Sequence, residues 1–501
     1  KRLPLTDRNE NRIQAFSGLF VFYPARNDKK YDPIYISSFD STLKKFIFGK
    51  ESRSSMSRHQ DHSSRDHDRR SFLKQTAAVT TAAGATNMIR TPVYGQTQAP
   101  STGRVIGAND RINIGFVGVG NQGFNTHLRL IKGNASRHKV QAAAACDVYS
   151  KYRDRAQDFM SLGPGNVYSD HRQLLERKDI DAVIIATVDH WHAPIAIDSM
   201  NAGKHVLIEK PMTRYLNEAF DVYDTCKRTK RVMQIGAVFC IEKKWHQAAQ
   251  LVRDGRIGPI VLGQSSYCRN SPKGEWNHTI NPNLTDKHID WMRWLGQTGM
   301  RPFNADHFFR WRKYHPYCCG ILGDLLPHKI HPLMIASGKP EFPTRVACLG
   351  TKEITPDRDV PDNTQVLANF PSGYSLMVLG STVNQQGLPE MLRGHHGTLY
   401  FGTDKVDLKP EPPFDNEINP ETFSNLKPSG ADFSAQHADW FDVIRNGGET
   451  KGNIELSIRA QVVISLAEMS ERMSLTLMFD EKTRKITTGT GQEVQSLNYP
   501  T

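Results

Sequence analysis

From residue 111 onward, short apolar runs alternate with amphipathic stretches. Residues 112–119 (INIGFVGV), 140–146 (VQAAAAC), 180–186 (IDAVIIA) and 205–209 (HVLIE) have the length and apolar content of buried strands. Between them, residues 124–131, 152–160 and 193–202 predict helices, the last closed by Gly203 as a C-cap residue. Strands separated by helices in this way imply a parallel sheet wrapped on both faces. The pattern changes at Val232. Residues 232–239 and 260–267 read as strands, and 243–253 as a helix closed by Asp254-Gly255. Residues 441–444 and 454–473 read as helices, and 475–479 as one of the last strands. Residues 406–434, rich in Pro, Asn and acidic side chains, read as a long surface loop.

A chain of 501 residues suggests two to four domains. Apolar residues at 38%, charged residues at 23% and a mean hydropathy of -0.52 describe a globular body with a polar appendage. The longest apolar runs fall short of the about 18 residues that a membrane-spanning helix needs, so no span is expected. The net charge is +12, but residues 1–110 hold 18 Lys and Arg against 10 Asp and Glu. A basic leader points to targeting, whereas a basic body would have pointed to nucleic acid, so no nucleic-acid partner is expected. The seven cysteines form no CxxC pair, which argues against a zinc ribbon or a thioredoxin-like site. Most are expected to be small buried hydrophobes; adjacent Cys318 and Cys319 are the unusual pair, and no metal site is expected.

The leader has its own signature. Residues 51–70 are too polar to fold. Arg69-Arg70-Ser71-Phe72-Leu73-Lys74 then precedes a weakly apolar Ala/Thr stretch, the order of a twin-arginine signal peptide. Residues 1–110 are therefore expected to be a disordered leader with the signal at 69–99, cleaved between about Ala85 and Ala99. Translation is expected to start at Met56, leaving residues 1–55 upstream. Export through the twin-arginine machinery to the periplasm, or otherwise out of the cytoplasm, suits a protein that folds around a tightly held cytoplasmic cofactor.

The first strand runs into Gly118-Val-Gly120-Asn121-Gln122-Gly123 and then a helix. In such a turn the first Gly permits the tight bend, the second lets backbone approach a pyrophosphate, and the third lets helix pack on strand. The phosphates would meet the free N–H groups of the helix start. The second strand ends in Asp147, 24 residues after Gly123. An acidic residue there accepts ribose hydroxyls and repels a 2′-phosphate, which favours NAD; nearby Lys151 and Arg153 keep NADP possible.

Thr187-Val-Asp-His-Trp-His192-Ala-Pro and Ala-Gly-Lys-His-Val-Leu-Ile-Glu209-Lys210-Pro211-Met follow in order, and Gly320-Ile-Leu-Gly-Asp324-Leu-Leu-Pro-His328 lies further on. Together with the glycine turn and Asp147, these motifs resemble the Gfo/Idh/MocA family of sugar and polyol oxidoreductases over roughly residues 111–480. The resemblance implies a Rossmann domain at 111–232 and an α+β domain at 233–501 with a large, mostly antiparallel sheet, one face of which often forms the subunit interface. It also places Thr187, His192, Glu209 and Lys210 at the cofactor with Asn121 and Gln122, and implies that the Lys-Pro peptide is often cis. A homo-oligomer is expected.

The chemistry can also be read from the residues. Lys210 follows a buried strand, so it lies at the carboxyl edge of the sheet where ligands bind. Its ammonium can hydrogen-bond a substrate hydroxyl. Asp324 and His328 share a face if their segment is helical. His328 suits proton exchange, and Asp324 can orient it or bind a second hydroxyl. His331 stands where many family members carry an Asp, so it is a further substrate candidate. Trp311, Arg312 and Tyr314 offer flat faces and donors to a sugar, though aromatic core packing explains each equally well. His190 and His192, two apart, would point to opposite sides of a strand, which argues against a metal pair.

These features lead to an exported NAD(P)-dependent dehydrogenase of a sugar, polyol or glycoside, with a small carbohydrate as substrate. Transient oxidation can also drive elimination of an aglycone, so an NAD-dependent glycoside hydrolase is the alternative. A non-catalytic sugar or nucleotide sensor on the same fold is the third.

Overall fold

The computed structural model describes residues 110–500; the leader, with its paired arginines, lies outside the described residues. Six parallel strands form the first sheet: β1 (Ile112–Val117), β2 (Val140–Cys146), β3 (Val167–Tyr168), β4 (Ala182–Ile185), β5 (His205–Ile208) and β6 (Met233–Ile235). Their order is β3-β2-β1-β4-β5-β6. The chain reverses direction across the sheet between β1 and β4, and open α/β sheets bind ligands at that switch, outside the carboxyl ends of the strands. The continuous apolar sequence of β4 follows from its place: all four residues are buried, with β1 and β5 on either side and helices above and below.

Helix α1 begins as a π-helical segment, Gly123–Leu128, and continues as Arg129–Gly133. Helix α2 (Ser150–Met160), helix α3 (His192–Asn201) and helix α4 (Leu216–Thr229) complete the crossovers. Gly203 closes α3 with a φ of 77°, as the sequence implies.

The second sheet has ten strands: β7 (Ile260–Cys268), β8 (Arg345–Thr351), β9 (Asn363–Asn369), β10 (Ser375–Ser381), β11 (Met391–Gly394), β12 (Gly397–Phe401), β13 (Val406–Pro410), β14 (Glu421–Phe423), β15 (Leu477–Asp480) and β16 (Lys485–Thr488). Their order is β14-β13-β12-β11-β7-β10-β9-β8-β15-β16. Only the β7–β10 pair is parallel. Helix α5 (Lys243–Arg253) precedes it. Helix α6 (Ile321–Asp324) and helix α7 (Pro327–Ala336) lie inside the long β7–β8 connection, and helix α8 (Phe433–Asn446) and helix α9 (Ile454–Met473) follow the sheet's far edge. Asn453 caps α9 by accepting from the Leu456 N–H at 2.9 Å.

Two expectations are corrected. Residues 232–239 do not form one strand. β6 stops at Ile235, Gly236 packs bare backbone against Glu209, where a Cβ would lie 2.8 Å from Oε2, and Val238–Ile241 is a 3-10 turn. Residues 406–434 are not a loop throughout. Val406–Pro410 and Glu421–Phe423 add two strands to the sheet, and the period of two is carried only by buried Val406 and Leu408 among polar neighbours.

Helix α8 crosses back to the first sheet. Its Trp440, Phe441 and Ile444 pack into one core with Ile112, Ile114, Phe116 and Leu128. Between the lobes, buried Arg214 donates to both Glu468 carboxylate oxygens at 2.7 and 2.8 Å. Burial alone pushes the Glu468 carboxyl up, but the Arg214 charge and hydrogen bonds outweigh it and hold the group below the ordinary glutamate value. A depressed folded value stabilises the fold above the unfolded pKa and loses that contribution on acidification. Glu468→Ala leaves a buried guanidinium unpaired, and we expect chemical denaturation at neutral pH to show a loss of about 3–5 kcal/mol. A loss under about 1 kcal/mol would mean that water or a neighbour replaces the carboxylate.

All seven cysteines are unpaired thiols, and all but Cys268 are buried. Among the described residues no cluster of three or more His, Cys, Asp or Glu could hold a metal ion, and no helix is long and apolar enough to cross a membrane.

Candidate active site

The turn after β1 is fixed by sterics. Gly118 has a φ of 84°, and a Cβ there would sit 2.5 Å from Ala186 O. A Cβ on Gly123 would lie 1.9 Å from Gly118 O, so helix and turn touch through bare backbone. Gly120 differs: its nearest neighbour would be Tyr152 Cε2 at 3.3 Å, with open space otherwise. Asp147 reaches in from the end of β2. Its two carboxylate oxygens accept from Val119 N at 2.8 Å and Tyr149 N at 2.9 Å, and each keeps lone pairs for a ligand. Burial pushes its pKa up to about 6, against those two N–H groups and Arg153. Arg153 is held on the Asp147 carbonyl at 2.8 Å, and Arg155 on the Val119 and Gly120 carbonyls at 2.7 and 3.0 Å.

From this turn a cavity of about 740 Å³ runs to the second lobe, within the range of ligand sites. Lys210 lines it at the carboxyl edge of the sheet, beyond β5. Its ammonium donates to Asp324 Oδ1 at 2.6 Å and to the Asp324 carbonyl at 2.7 Å. Asp324 also accepts from Arg312 Nε and Trp276 Nε1, both at 3.0 Å. Burial opposes its charge, but Lys210 and Arg312 hold the carboxyl well below the usual range. His328 lies between Phe239 and Tyr267, with ring centroids at 5.3 and 5.5 Å, and its Nδ1 has no hydrogen-bond partner. Burial, then the Lys210 charge, lowers its pKa to about 3, so the ring is neutral at pH 7.

The cavity fits a dinucleotide on three counts. The glycine turn leaves free approach at Gly120, Asp147 keeps acceptor capacity, and the cavity-lining imidazole of His192 has an unpartnered Nε2. Residues 112–237 match the model of an oxidoreductase family with an NAD-binding Rossmann fold, and residues 249–497 match that family's C-terminal alpha/beta domain. The chain belongs to the Gfo/Idh/MocA family. A protein of Shewanella baltica named as a glycosyl hydrolase family 109 protein is 33% identical over 213 residues, 40% of this chain and 45% of its own length. An alpha-N-acetylgalactosaminidase of Shewanella oneidensis is 31% identical over 247 residues, 44% of this chain and 53% of its own. The chain thus spans about half the length of these curated relatives. Among solved structures, levoglucosan dehydrogenase in complex with NADH and levoglucosan shares the fold, with a TM-score of 0.56 at 19% identity over 76% of this chain and 99% of that one. The aldose-aldose oxidoreductase of Caulobacter crescentus, complexed with glycerol, does so with a TM-score of 0.56 at 17% identity over 74% of this chain and 100% of that one.

The Gfo/Idh/MocA motif residues Gly118, Gly120, Asn121, Gln122, Asp147, Thr187, His192, Glu209 and Lys210 all line the cavity. Gly123 does not, since it packs against Gly118. The Lys210–Pro211 peptide is cis. Glu209 and Gln122 meet each other: Gln122 Nε2 donates to Glu209 Oε1 at 2.8 Å, and His127 Nε2 approaches the same oxygen at 2.8 Å. His192 turns its Nδ1 to the Pro211 carbonyl at 2.7 Å. His190 bonds the Trp294 carbonyl instead at 2.7 Å, so the two imidazoles serve different partners.

Three expectations at the substrate end are corrected. Asp324 ends α6 while His328 lies in α7, so no continuous helix joins them, and Asp324 orients Lys210 through its bonds rather than His328. His331 lies on the buried side of α7, with Nδ1 on the Pro327 carbonyl at 2.8 Å, outside the cavity. Tyr314 is outside it too, stacked on His307 at 4.1 Å with its hydroxyl on Asp306. Trp311 and Arg312 do line the cavity, with the guanidinium 4.1 Å above the indole. Sequence reasoning missed Trp276, Phe239, Tyr267 and Asp189. Trp276 sits in an irregular segment and Phe239 in a 3-10 turn, where no periodicity marks them; Tyr267 lies on the internal strand β7, whose pattern gives the strand but not which side chain meets the cavity, and Asp189 lies inside a motif whose chemistry points first to its histidines.

Proposed function

We propose that the protein is an exported NAD(P)-dependent oxidoreductase that oxidises a CH–OH group of a sugar, polyol or glycoside. The observation that carries this is Lys210. Two of its ammonium hydrogens are engaged by Asp324, which aims the group and leaves the third for a substrate oxygen in the cavity. When bound, NAD supplies a two-electron acceptor beside the substrate carbon. Lys210 stabilises negative charge growing on the substrate oxygen, since a fixed ammonium in a water-poor site acts more strongly than one in water. His328, neutral before reaction, accepts the hydroxyl proton. Arg312 and Trp276 hold Asp324, so the Lys210–Asp324 pair stays in place without substrate. The Asp147 carboxylate favours NAD over NADP by repelling a 2′-phosphate. The paired arginines 69 and 70 support twin-arginine export, and the exposed Val261, Leu349 and Leu367 on the large sheet support a homo-oligomer.

A second reading is favoured by the curated relatives named as glycosidases: the same oxidation, made transient, lets a glycoside eliminate its aglycone. One preparation tests both. Denaturing the purified protein should release NAD at about one equivalent, seen by mass spectrometry; release of no nicotinamide cofactor from protein that also binds none when it is added would overturn both readings. Turnover of nitrophenyl glycosides without added NAD identifies the hydrolase. A stoichiometric halt after one oxidation identifies the dehydrogenase.

A further inference from the structure

Five carboxyl groups line the cavity, and four have hydrogen-bond partners within the chain. Asp147 accepts from two backbone N–H groups, Glu209 from Gln122, Asp324 from Lys210, Arg312 and Trp276, and Glu275 from Arg269 at 2.9 Å. Asp189 is the fifth. It is 4% exposed, and no hydrogen bond or ion pair joins its side chain to any described residue. It opens the short turn Asp189–Trp191 after β4, beside the strand that carries Lys210, so both groups stand at the same edge of the sheet.

A buried carboxylate with no donor is expensive, and the group avoids that cost by keeping its proton. Burial pushes its pKa up to about 7, against the charges of Arg312, Lys210 and Arg214 and together with that of Asp324. A protonated carboxyl is a donor, and with no acceptor in the protein it can donate only into the cavity.

We propose that Asp189 is a further catalytic residue, the proton donor to the glycosidic oxygen that departs when a bound glycoside is cleaved. The proposal rests on the glycoside-cleaving reading above. In a sugar carrying a ring carbonyl made by the NAD-linked oxidation, the neighbouring C–H is acidic. Its proton passes to His328, which has by then released the hydroxyl proton to water. The C–H electron pair forms a C=C bond, the C–O bond to the aglycone breaks, and the departing oxygen takes the Asp189 proton. Water then adds to the C=C: its oxygen bonds the former glycosidic carbon, one of its protons returns to the Asp189 carboxylate, and His328 gives the proton it took back to the neighbouring carbon. The ring carbonyl carbon then regains its hydride and its oxygen a proton from water by way of His328, so both residues end as they began.

The test compares Asp189→Asn with the wild-type holoenzyme on phenyl and 2,4-dinitrophenyl glycosides of one sugar. The phenyl leaving group needs a proton, and kcat/KM on it should fall about 10²–10⁴-fold. The dinitrophenyl group leaves unaided, so its rate should stay within about threefold, a split that a merely structural defect would not give. Equal loss on both, or no loss, overturns the role of Asp189 alone. A wild-type enzyme that cleaves neither overturns the glycosidase reading and the proposal with it. If the variant fails to fold, infrared spectroscopy of wild-type protein with carboxyl-labelled aspartate decides. A protonated aspartate band at pH 7 is expected, and its absence overturns the proposal.

Discussion

Alanine at position 210 is expected to lower kcat about 10³-fold while cofactor affinity changes by less than about threefold. The separation follows from where the side chain points. The Lys210 ammonium is held by Asp324, a residue of the second lobe, whereas the phosphates would meet the backbone of the glycine turn after β1. Its removal takes away a fixed positive charge next to the substrate oxygen and leaves Asp324 still held by Arg312 and Trp276, so the pocket keeps its shape. Titration of bound NAD by fluorescence and a rate assay on the same preparation read the two quantities independently. Arginine at 210 should not restore the rate, because its planar fork cannot replace a compact ammonium already engaged at 2.6 and 2.7 Å. Unchanged turnover in Lys210→Ala would remove the basis of the chemistry proposed for this site.

The glycine turn should separate binding from folding. In Gly120→Ala the new methyl meets only the Tyr152 ring edge at 3.3 Å, so the thermal midpoint should move little, while the methyl occupies the space through which a pyrophosphate approaches. NAD affinity should fall at least about 100-fold, or roughly 2.7 kcal/mol. In Gly123→Ala the methyl would lie 1.9 Å from a backbone oxygen that cannot swing away, so the helix must shift and both affinity and thermal midpoint should drop. Calorimetry and a melting curve on each variant distinguish the cases. If Gly120→Ala binds NAD normally, the phosphates lie elsewhere.

Much of this was legible in the residues because the signals were local. The glycine turn, the buried strands and the Glu209-Lys210-Pro211 edge each combine a short pattern with a forced position in the sheet. The ends of helix 243–253 and helix 454–473 match the observed ones because each carries several turns of apolar residues, with Asp254-Gly255 closing the first and Asn453 capping the start of the second. What failed depended on long-range partners. Asp324 was paired with His328 by its spacing of four, but a break between α6 and α7 and the presence of Lys210, 114 residues away, decided its bonds. His331 and Tyr314 have the right chemistry, and only packing shows that they face elsewhere. The two strands inside 406–423 were hidden because their neighbours in the sheet supply the burial that their own sequence does not announce.

The return of α8 to the first sheet bears on how this chain could be cut or recombined. Trp440 and Phe441 fill a hollow beside Ile112 and Phe116, and His437 Nε2 meets His127 Nδ1 at 2.9 Å, next to the Glu209 carboxylate. A nucleotide-binding half excised at residue 237, or swapped between homologues as a cassette, would leave with one wall missing and a greasy scar in its place. Shuffling experiments should carry 433–446 along with it.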